Sequence, residues 1–443
     1  MMLVLLPVAL AMSELDIEGE TGPVFLSETL PSGLSVSILA DPALSVVATQ
    51  MWVNVGSAHE ASNEKGFAHL FEHLMFGETT NHGKEDYSRY HTIHGGDENA
   101  YTAFDNTVYI SEIGPQWHDQ VLVYEADRMA NLVLSADNLA NEQKIVTEEL
   151  RLRTENDPFS RLLNPALHAI FGEHPYGHSP AGTKEDIAAA DLELVRKFYA
   201  GYYHPANLHL VIVGPVDAYA TLDRVRELFA PREGQALVPP EVPELSTWSF
   251  PERVDLREDI PPIKVAALVY LGPTERSEDW WPWKLMTEML CGGELDRFRE
   301  ELVTDGGKAV EAMTIPAELR SGSILAFGSI SLPFRRLDRA LKLLHQGIDT
   351  LSEGAWMTSE NLETARRRVL RQELERRYYA ASAAEAIGQA GSWQGNARLG
   401  YEGVPALLDA VTLDQVNEVW RRYVATGAPV ELTIRKGPAG GAQ

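Results

Sequence analysis

One pattern of predicted elements occurs twice in this chain, and this repeat is the feature that most constrains its fold. In the first copy an apolar strand, SVVATQMWVNV at 45–55, leads through a glycine and a polar stretch to the apolar helix FAHLFEHLMF at 67–76. In the second copy PPIKVAALVYL at 261–271 leads in the same way to WKLMTEMLC at 283–291. The repeated order predicts an α+β fold of two homologous α/β-sandwich-like domains.

A proline-rich stretch without clear periodicity separates the two copies. We predict that residues 233–250, EGQALVPPEVPELSTWSF, form a linker, because proline interrupts both helices and sheets. The predicted domains are then residues 23–232 and 251–443, preceded by an apolar leader and N-terminal extension at 1–22. A length of 443 residues agrees with more than one hydrophobic core.

Charge and cysteine content exclude several kinds of site. The net charge is -26, so no nucleic-acid partner is expected, since phosphate binding needs a basic surface. The chain has one cysteine, Cys291, which excludes an internal disulfide and a cysteine-based zinc site. Any bound metal must therefore be held by histidine, aspartate or glutamate.

The chain begins with an apolar segment, MMLVLLPVALA, which is too short to span a bilayer. It resembles the hydrophobic part of a signal peptide followed by an Ala-Leu-Ala cleavage site, although no basic residue precedes it. We therefore predict export to the periplasm, or a cytoplasmic protein if Met12 is the true start. No other stretch is predicted to span a membrane.

The segment HLFEH at 69–73 places two histidines and a glutamate on one turn of the first apolar helix. Residues four apart on a helix share a face, so His69 and His73 can present two imidazoles to one metal ion. Glu72 lies beside them, where its carboxylate can take a proton from a metal-bound water. This is the reversed zincin arrangement, and a catalytic zinc needs a third protein ligand. From these five residues alone, a polar patch on an ordinary helix is an equal interpretation.

A second predicted helix offers candidates for the third ligand. NEQKIVTEELR at 141–151 carries Glu142, Glu148 and Glu149. Glu142 and Glu149 are two turns apart on one face of this helix, whereas Glu148 is interpreted as a solvated residue.

These segments closely resemble the pitrilysin family of zinc metallopeptidases, in its smaller two-domain branch, which includes mitochondrial processing peptidases. The family motif His-x-x-Glu-His is followed by a ligand glutamate in a Val-x-x-Glu context, which Val146 and Glu149 fit. The resemblance covers residues 25–435 and is most specific in the first half. Further similar stretches are GGDENAYTAFDNTVY at 95–109, HPYGHSPAGT at 174–183 and FYAGYYHPANLHLVIVG at 198–214.

The resemblance implies a zinc site with defined roles for the residues of both motifs. One zinc ion per chain would be held by His69, His73 and Glu149, and Glu72 would be the general base. Glu142 is expected to lie outside the zinc ligands and to orient one of the two imidazoles.

The resemblance also implies a place for the substrate. ENAYTAF at 98–104 is similar to the family's edge strand beside the metal. Asn99 and the backbone around Ala100 would there bind an extended peptide as an added strand.

The second copy lacks the metal motif. Lys284, Thr287 and Glu288 stand where the first copy has its two histidines and the glutamate between them, so only the first half is expected to bind metal. We therefore predict a zinc-dependent endopeptidase. The alternative is a non-catalytic structural or assembly subunit of the same family.

Two positions in the second half depart from the family pattern. The half opposite the zinc usually contributes an arginine and a tyrosine that hold the substrate carbonyl and the developing oxyanion. Aligned on Gly292, Gly293 and Gly307, these positions fall on Val303 and Val310, and valine cannot donate a hydrogen bond. The resemblance thus implies one half of a clamshell that forms a heterodimer, in which a homologous subunit supplies the Arg/Tyr pair.

Overall fold

The computed structural model contains two β-sheets, each packed against its own group of helices. Residues 1–21, which make up nearly all of the predicted leader and extension, lie outside the part of the chain that the structure describes, as do residues 233–235 of the predicted linker. In the part that it describes, no helix is both long and apolar enough to cross a bilayer. The described residues are 22–156, 160–229, 236–293, 296–304, 309–334 and 336–437.

The first sheet has six strands: β1 (Val24–Thr29), β2 (Ser35–Ala40), β3 (Val47–Val53), β4 (Asp97–Thr102), β5 (Thr107–Ile113) and β6 (Leu208–Gly214). They follow the order β1-β2-β6-β3-β5-β4 in space. β2 and β6 run parallel, and the other neighbours run antiparallel. β4 is an edge strand that pairs with β5 alone among the described strands.

The second sheet has five strands: β7 (Arg253–Glu258), β8 (Lys264–Gly272), β9 (Glu311–Leu319), β10 (Gly322–Ser331) and β11 (Val430–Lys436). Their order is β7-β11-β8-β10-β9, with β7 and β11 parallel. When β1 is left out, both sheets show the same strand order and the same parallel pair. This shared topology confirms the predicted α+β fold with two homologous units, whereas the exact domain boundaries stay a prediction.

In the order of the sequence, most helices stand between strands of their own half. Those of the first half are α1 (Phe67–Leu74), α2 (Asp86–His94), α3 (His118–Asn131), α4 (Ala136–Asn156), α5 (Ser160–Phe171), α6 (Lys184–Ala189), α7 (Leu192–Tyr202) and α8 (Ala218–Leu228). Those of the second half are α9 (Trp280–Cys291), α10 (Arg297–Arg299), α11 (Leu337–Glu353), α12 (Ser359–Arg376), α13 (Ala380–Gln389), α14 (Val404–Ala410) and α15 (Leu413–Trp420). Several begin at a residue whose side chain accepts a backbone N–H, as expected of an N-cap: Thr183, Asp191, Asp217, Asp296, Thr358 and Thr412.

Both faces of β3 are buried, and each face meets a different half of the chain. Successive side chains of a strand point to opposite faces of the sheet. Met51 and Val53 therefore join the core that includes α1, whereas Ala48 and Trp52 pack against α13 of the second half. This explains why the strand is apolar almost throughout instead of alternating.

The same kind of packing occurs in the other direction, because α5 of the first half covers the second sheet. Ile170 and Phe171 of α5 pack in one cluster with Val254 of β7 and with Ala267 and Val269 of β8. Each half thus buries one face of the other half's sheet, and the two halves share their apolar cores.

Candidate metal centre and active site

Helix α1 presents its apolar residues to the first core and its polar motif to the outer edge of the first sheet. Phe67, Leu70 and Phe71 are buried in that core, and the ring of Phe71 stacks on Phe198 with centroids 5.1 Å apart. The helical period leaves the motif residues on the remaining face. On that side α1 contacts β4 and α4.

A buried carboxylate from the preceding loop fixes the start of α1. Glu60 Oε1 accepts from the backbone N–H of Ala68 at 2.7 Å, and its Oε2 accepts from that of Gly66 at 2.8 Å. Burial raises the pKa of Glu60, and the two backbone hydrogen bonds act in the opposite direction. An acidic group at this end of a helix also interacts favourably with the helix dipole.

The long helix α4 brings Glu149 to the two histidines of α1. Glu149 Oε2 lies 3.2 Å from His73 Nε2 and 3.9 Å from His69 Nε2. One ligand atom from each of the three residues lies within 4.8 Å of the others, and no other such group occurs within the described ranges. Two imidazoles and a carboxylate are a ligand set of catalytic zinc sites, which keep a further position open.

The electrostatics of this cluster fit a metal site. His69 is only 4% exposed, and burial, followed by the neighbouring His73, lowers its pKa to about 4. It is therefore neutral near physiological pH, which is the form that binds metal. Among the described residues its buried Nδ1 has no hydrogen-bond partner, and its Nε2 is the atom that faces Glu149. The second oxygen of Glu149 is paired with Arg153, one turn further along α4.

The side chain of Glu72 points to the edge strand β4 and away from the apolar core. Its Oε2 accepts a hydrogen bond of 2.6 Å from Thr102 Oγ1, at the end of β4. Burial raises the pKa of Glu72, and the hydrogen bond from Thr102 partly offsets this rise. A carboxylate that is held in place and has an increased proton affinity suits a general base.

The open edge of β4 runs beside this carboxylate. Ala100 packs against the first core, and its backbone N–H donates to Asn99 Oδ1 at 2.9 Å. The structure thus brings Asn99 and Ala100 to the cleft next to the metal cluster. The cleft is lined by Glu72, His73, Phe76, Ser88, Glu98, Asn99 and Ala100.

Glu142 has a different partner from the one expected. Its Oε1 accepts from Lys84 Nζ at 2.7 Å and from Asn141 Nδ2 at 3.3 Å. Neither ligand histidine is among the hydrogen-bond partners that the described part of the chain gives it. The carboxylate is buried, so the lysine supplies the counter-charge that a buried carboxylate needs.

In the second half, charged pairs occupy the place of the metal motif. α9 carries Lys284, Thr287 and Glu288, and Glu288 Oε1 lies 3.9 Å from Arg368 on α12. Lys284 Nζ lies 3.3 Å from Glu318 of β9. Cations thus stand near the position at which the first half has its metal ligands.

The two valines of the second half have different environments. Val303 packs against the second core, whereas Val310 is 57% exposed. Gly307, one anchor of the alignment that pointed to them, lies outside the described residues. Neither side chain offers a hydrogen-bond donor.

Sequence reasoning missed Glu60 and Thr102. Glu60 caps α1 from well outside the usual N-cap position, so no local pattern could indicate it. Thr102 could have been found, because strand periodicity places it on the same face of β4 as Ala100.

Two neighbouring segments of the chain match profiles of one peptidase family. Residues 35–184 match the profile described as insulinase (peptidase family M16), and residues 189–369 match the profile described as peptidase M16 inactive domain. The zinc protease PqqE of Helicobacter pylori is 28% identical over 309 residues, which cover 69% of either chain.

Solved structures show the same fold at lower identity. A protease from Helicobacter pylori superposes with a TM-score of 0.83 and 22% identity, over 93% of this chain and 99% of that chain. The first half of the periplasmic protease PqqL from Escherichia coli gives a TM-score of 0.71 and 18% identity, over 93% and 92%. Because both profiles match in succession and the relatives align over most of both chains, the protein belongs to peptidase family M16, in its half-size, two-domain branch.

Proposed function

We propose that this chain is the zinc-bearing catalytic subunit of an endopeptidase that cleaves extended peptides. The observation that carries the proposal is the convergence of His69, His73 and Glu149, with Glu72 beside them at the edge of the first sheet. The relatives in Helicobacter pylori and Mycobacterium leprae, which are named zinc proteases, support the same proposal.

The chain's own residues suffice for the proton transfers of peptide hydrolysis. When bound to the three ligands, zinc would polarise the scissile carbonyl and lower the pKa of a water molecule. Glu72 would take a proton from that water and later give it to the leaving amine. The hydrogen bond from Thr102 keeps the Glu72 carboxylate directed to the cleft during both steps.

The substrate would bind as an additional strand at the open edge of β4. Main-chain hydrogen bonds of this kind accept any extended peptide, and side-chain contacts in the cleft add preference. The N–H of Ala100 donates a hydrogen bond to the Asn99 side chain. A peptide carbonyl can replace that amide oxygen, which frees Asn99 to contact the peptide backbone.

We further propose that a homologous subunit completes the site. Val303 and Val310 cannot stabilise an oxyanion, so the arginine and tyrosine that the family places there must come from a partner. Peptide hydrolysis at the metal site would then require the two subunits to close around the peptide.

We also propose that the chain is exported, on the basis of its apolar N-terminal segment. The Escherichia coli PqqL is named a periplasmic protease, which agrees with this proposal. Sequencing the N-terminus of the protein recovered from its native host would test it.

The second candidate function is a non-catalytic assembly subunit. The observation in its favour is that the second half matches an inactive-domain profile and lacks the two oxyanion donors. It predicts that no added partner produces zinc-dependent cleavage.

The test of the main proposal separates zinc binding from turnover. Glu72→Gln should keep zinc, because the three ligands are unchanged, and should lose cleavage of a quenched fluorescent peptide when the chain is assayed together with its partner subunit. His73→Ala and Glu149→Ala should lose zinc as well, and the exposed His168→Ala serves as the matched control. Near-normal turnover of Glu72→Gln would show that the base is misassigned.

The partner proposal is tested by supplying the missing donors. The purified chain alone should be nearly inactive, since loss of one oxyanion donor costs roughly 10²–10³-fold in rate. Val310→Tyr, at an exposed position, should raise activity in a self-associated sample, as should a homologous subunit that carries the pair. Strong zinc-dependent cleavage by the unmodified monomer would contradict the split site.

A further inference from the structure

A cavity of about 430 Å³ lies where the two halves and the linker meet, away from the metal cluster. Its first-half wall includes Asn54 and His59, and its second-half wall includes Arg276, Arg320 and Ser392. None of these residues takes part in the proposed peptidase chemistry. The cavity has the size of a small-molecule site, and its walls are rich in hydrogen-bond donors.

His59 is a buried residue that lines this cavity. It is 3% exposed, and its Nδ1 accepts from the backbone N–H of Gly56 at 3.1 Å. Burial, followed by the nearby Arg320, lowers its pKa to about 4, so the ring is neutral and its proton is on Nε2. The structure gives this Nε2–H no acceptor among the residues that it describes.

The backbone of Arg320 is fixed by hydrogen bonds to the first half, whereas its guanidinium makes no hydrogen bond in the described chain. Its N–H donates to Asp105 Oδ2 at 3.1 Å, and the N–H of the next residue, Ser321, donates to the hydroxyl of Tyr176 at 3.1 Å. These bonds fix the β9–β10 turn against the first half. Within the described chain, the guanidinium itself forms no ion pair and no hydrogen bond, although its charge partly offsets the rise that burial causes in the pKa of Asp105.

Arg276 adds a second anchored guanidinium. Its Nε donates to the backbone carbonyl of Trp393 at 2.8 Å, which directs the side chain along the cavity wall. Its two terminal nitrogens have no acceptor in the part of the chain that the structure covers. A guanidinium group presents paired N–H donors, so these two groups are well suited to bind the paired oxygens of a carboxylate or phosphate.

The linker wall limits which anions can enter. Glu241 and Glu244 are exposed on this wall, and their two negative charges balance the two arginines. A polyanion would meet these carboxylates, whereas a small ligand can place one anionic group against the arginine wall alone.

We propose that this cavity binds the oxyanion group of a small molecule, a carboxylate or a phosphate, between Arg276, Arg320 and His59. The site joins both halves and the linker, so the bound ligand would connect them. The proposal is independent of the peptidase function, because none of its residues contacts the metal cluster.

Calorimetric titration of the full chain tests the proposal with three probes. The probes are inorganic phosphate, N-acetyl-trialanine with a free C-terminal carboxylate, and the same peptide as its C-terminal amide. We expect binding of phosphate, of the acid peptide or of both, but not of the amide. Binding of phosphate alone would identify a phosphate group as the source, and binding of the acid peptide would identify a carboxylate.

Variants localise the binding to the cavity. Arg276→Gln and Arg320→Gln should each weaken binding by roughly 10–100-fold, the effect of one hydrogen bond to a charged group. Arg320→Gln keeps the backbone bond to Asp105, and Arg371→Gln on α12 is the matched exposed control. Circular dichroism checks that each variant is folded.

Two results would overturn the proposal. One is the absence of heat from all three probes up to millimolar concentration. The other is an unchanged affinity in both folded variants, which would place the anion elsewhere on the chain.

Discussion

Glu60 Oε1 accepts a hydrogen bond of 2.7 Å from the backbone N–H of Ala68, the residue directly before the first ligand histidine. The same carboxylate accepts from Gly66, and its side chain is fully buried. A loop residue thus fixes the first turn of α1, and with it the direction of His69. Without the carboxylate, two backbone donors would be left in an environment that excludes water.

This contact predicts that Glu60 controls zinc affinity without touching the metal. Glu60→Ala should weaken zinc binding by roughly 10–100-fold, as for other residues that orient metal ligands. Glu60→Gln keeps one acceptor oxygen and should show an intermediate loss. Zinc affinity is measured by competition with a fluorescent chelator.

The control for Glu60 is a carboxylate of the same loop. Glu64→Gln changes a residue whose Oε2 accepts a long hydrogen bond of 3.3 Å from Ala61 within the loop. If Glu60→Ala bound zinc as tightly as Glu64→Gln, the positioning role would be wrong.

The hydrogen bond from Thr102 to Glu72 predicts a separation of turnover from metal binding. Thr102→Val keeps the shape of the side chain but removes the donor, so kcat should fall by roughly 10–100-fold while zinc content is unchanged. Thr102→Ser restores the hydroxyl and should recover most of the rate. The measurement is steady-state cleavage together with metal analysis, on the chain combined with its partner subunit. Equal kcat values for the valine and serine variants would refute the positioning of Glu72 by Thr102.

The sequence predicted the fold class because the repeat of strand and helix patterns is a local signal. It did not predict that α13 covers the first sheet and α5 the second. The segment AASAAEAIGQ shows an apolar face, but periodicity does not indicate which sheet that face will cover. The exchange depends on contacts between residues far apart in the chain, such as Trp52 and Ile387.

The site shows the same division between local and distant information. Helical spacing alone placed His69, Glu72 and His73 together, whereas Glu149 was assigned through the family resemblance. Within the described chain, the hydrogen bonds of Glu142 do not include the expected contact with an imidazole, and Lys84 from a distant loop pairs with its carboxylate. A sequence pattern carries no information on such a competing partner.

The packing of α13 on the first sheet predicts a large effect from a small substitution. A Cβ added at Gly388 would lie 2.1 Å from the Trp52 ring, which is itself held by a 2.9 Å hydrogen bond to Gln50. Gly388→Ala should therefore destabilise the protein by about 1–3 kcal/mol, the usual cost of overpacking a core. The urea unfolding midpoint measures this change.

The control for Gly388 is a glycine in open surroundings. At Gly83 an added Cβ would have no neighbour closer than 3.5 Å, so Gly83→Ala should leave the midpoint nearly unchanged. If the two variants unfolded at the same urea concentration, the contact between the second half and Trp52 would not contribute to stability.

Two buried histidines of the first half predict a loss of stability in mild acid. His118 Nε2 lies 2.9 Å from Thr49 Oγ1, and His209 Nε2 lies 2.9 Å from Ser37 Oγ. Burial lowers the pKa of each histidine from an ordinary value of 6.5 to about 4. Between these values the unfolded chain binds protons that the folded chain does not, so the free energy of unfolding decreases as pH falls.

His209→Gln tests this linkage, because glutamine can still hydrogen-bond Ser37 but does not titrate. The wild-type chain should lose about 2 kcal/mol of stability at this one residue between about pH 8 and about pH 5. The variant should lack that part of the decrease, although its stability at neutral pH can be lower because the side-chain shape differs. Urea unfolding at the two pH values gives the difference. The control is His168→Gln, at an exposed histidine, whose free energy of unfolding should decrease with pH as that of the wild type does. An identical decrease in the wild type and in His209→Gln would show that His209 takes up a proton equally in the folded and unfolded chains.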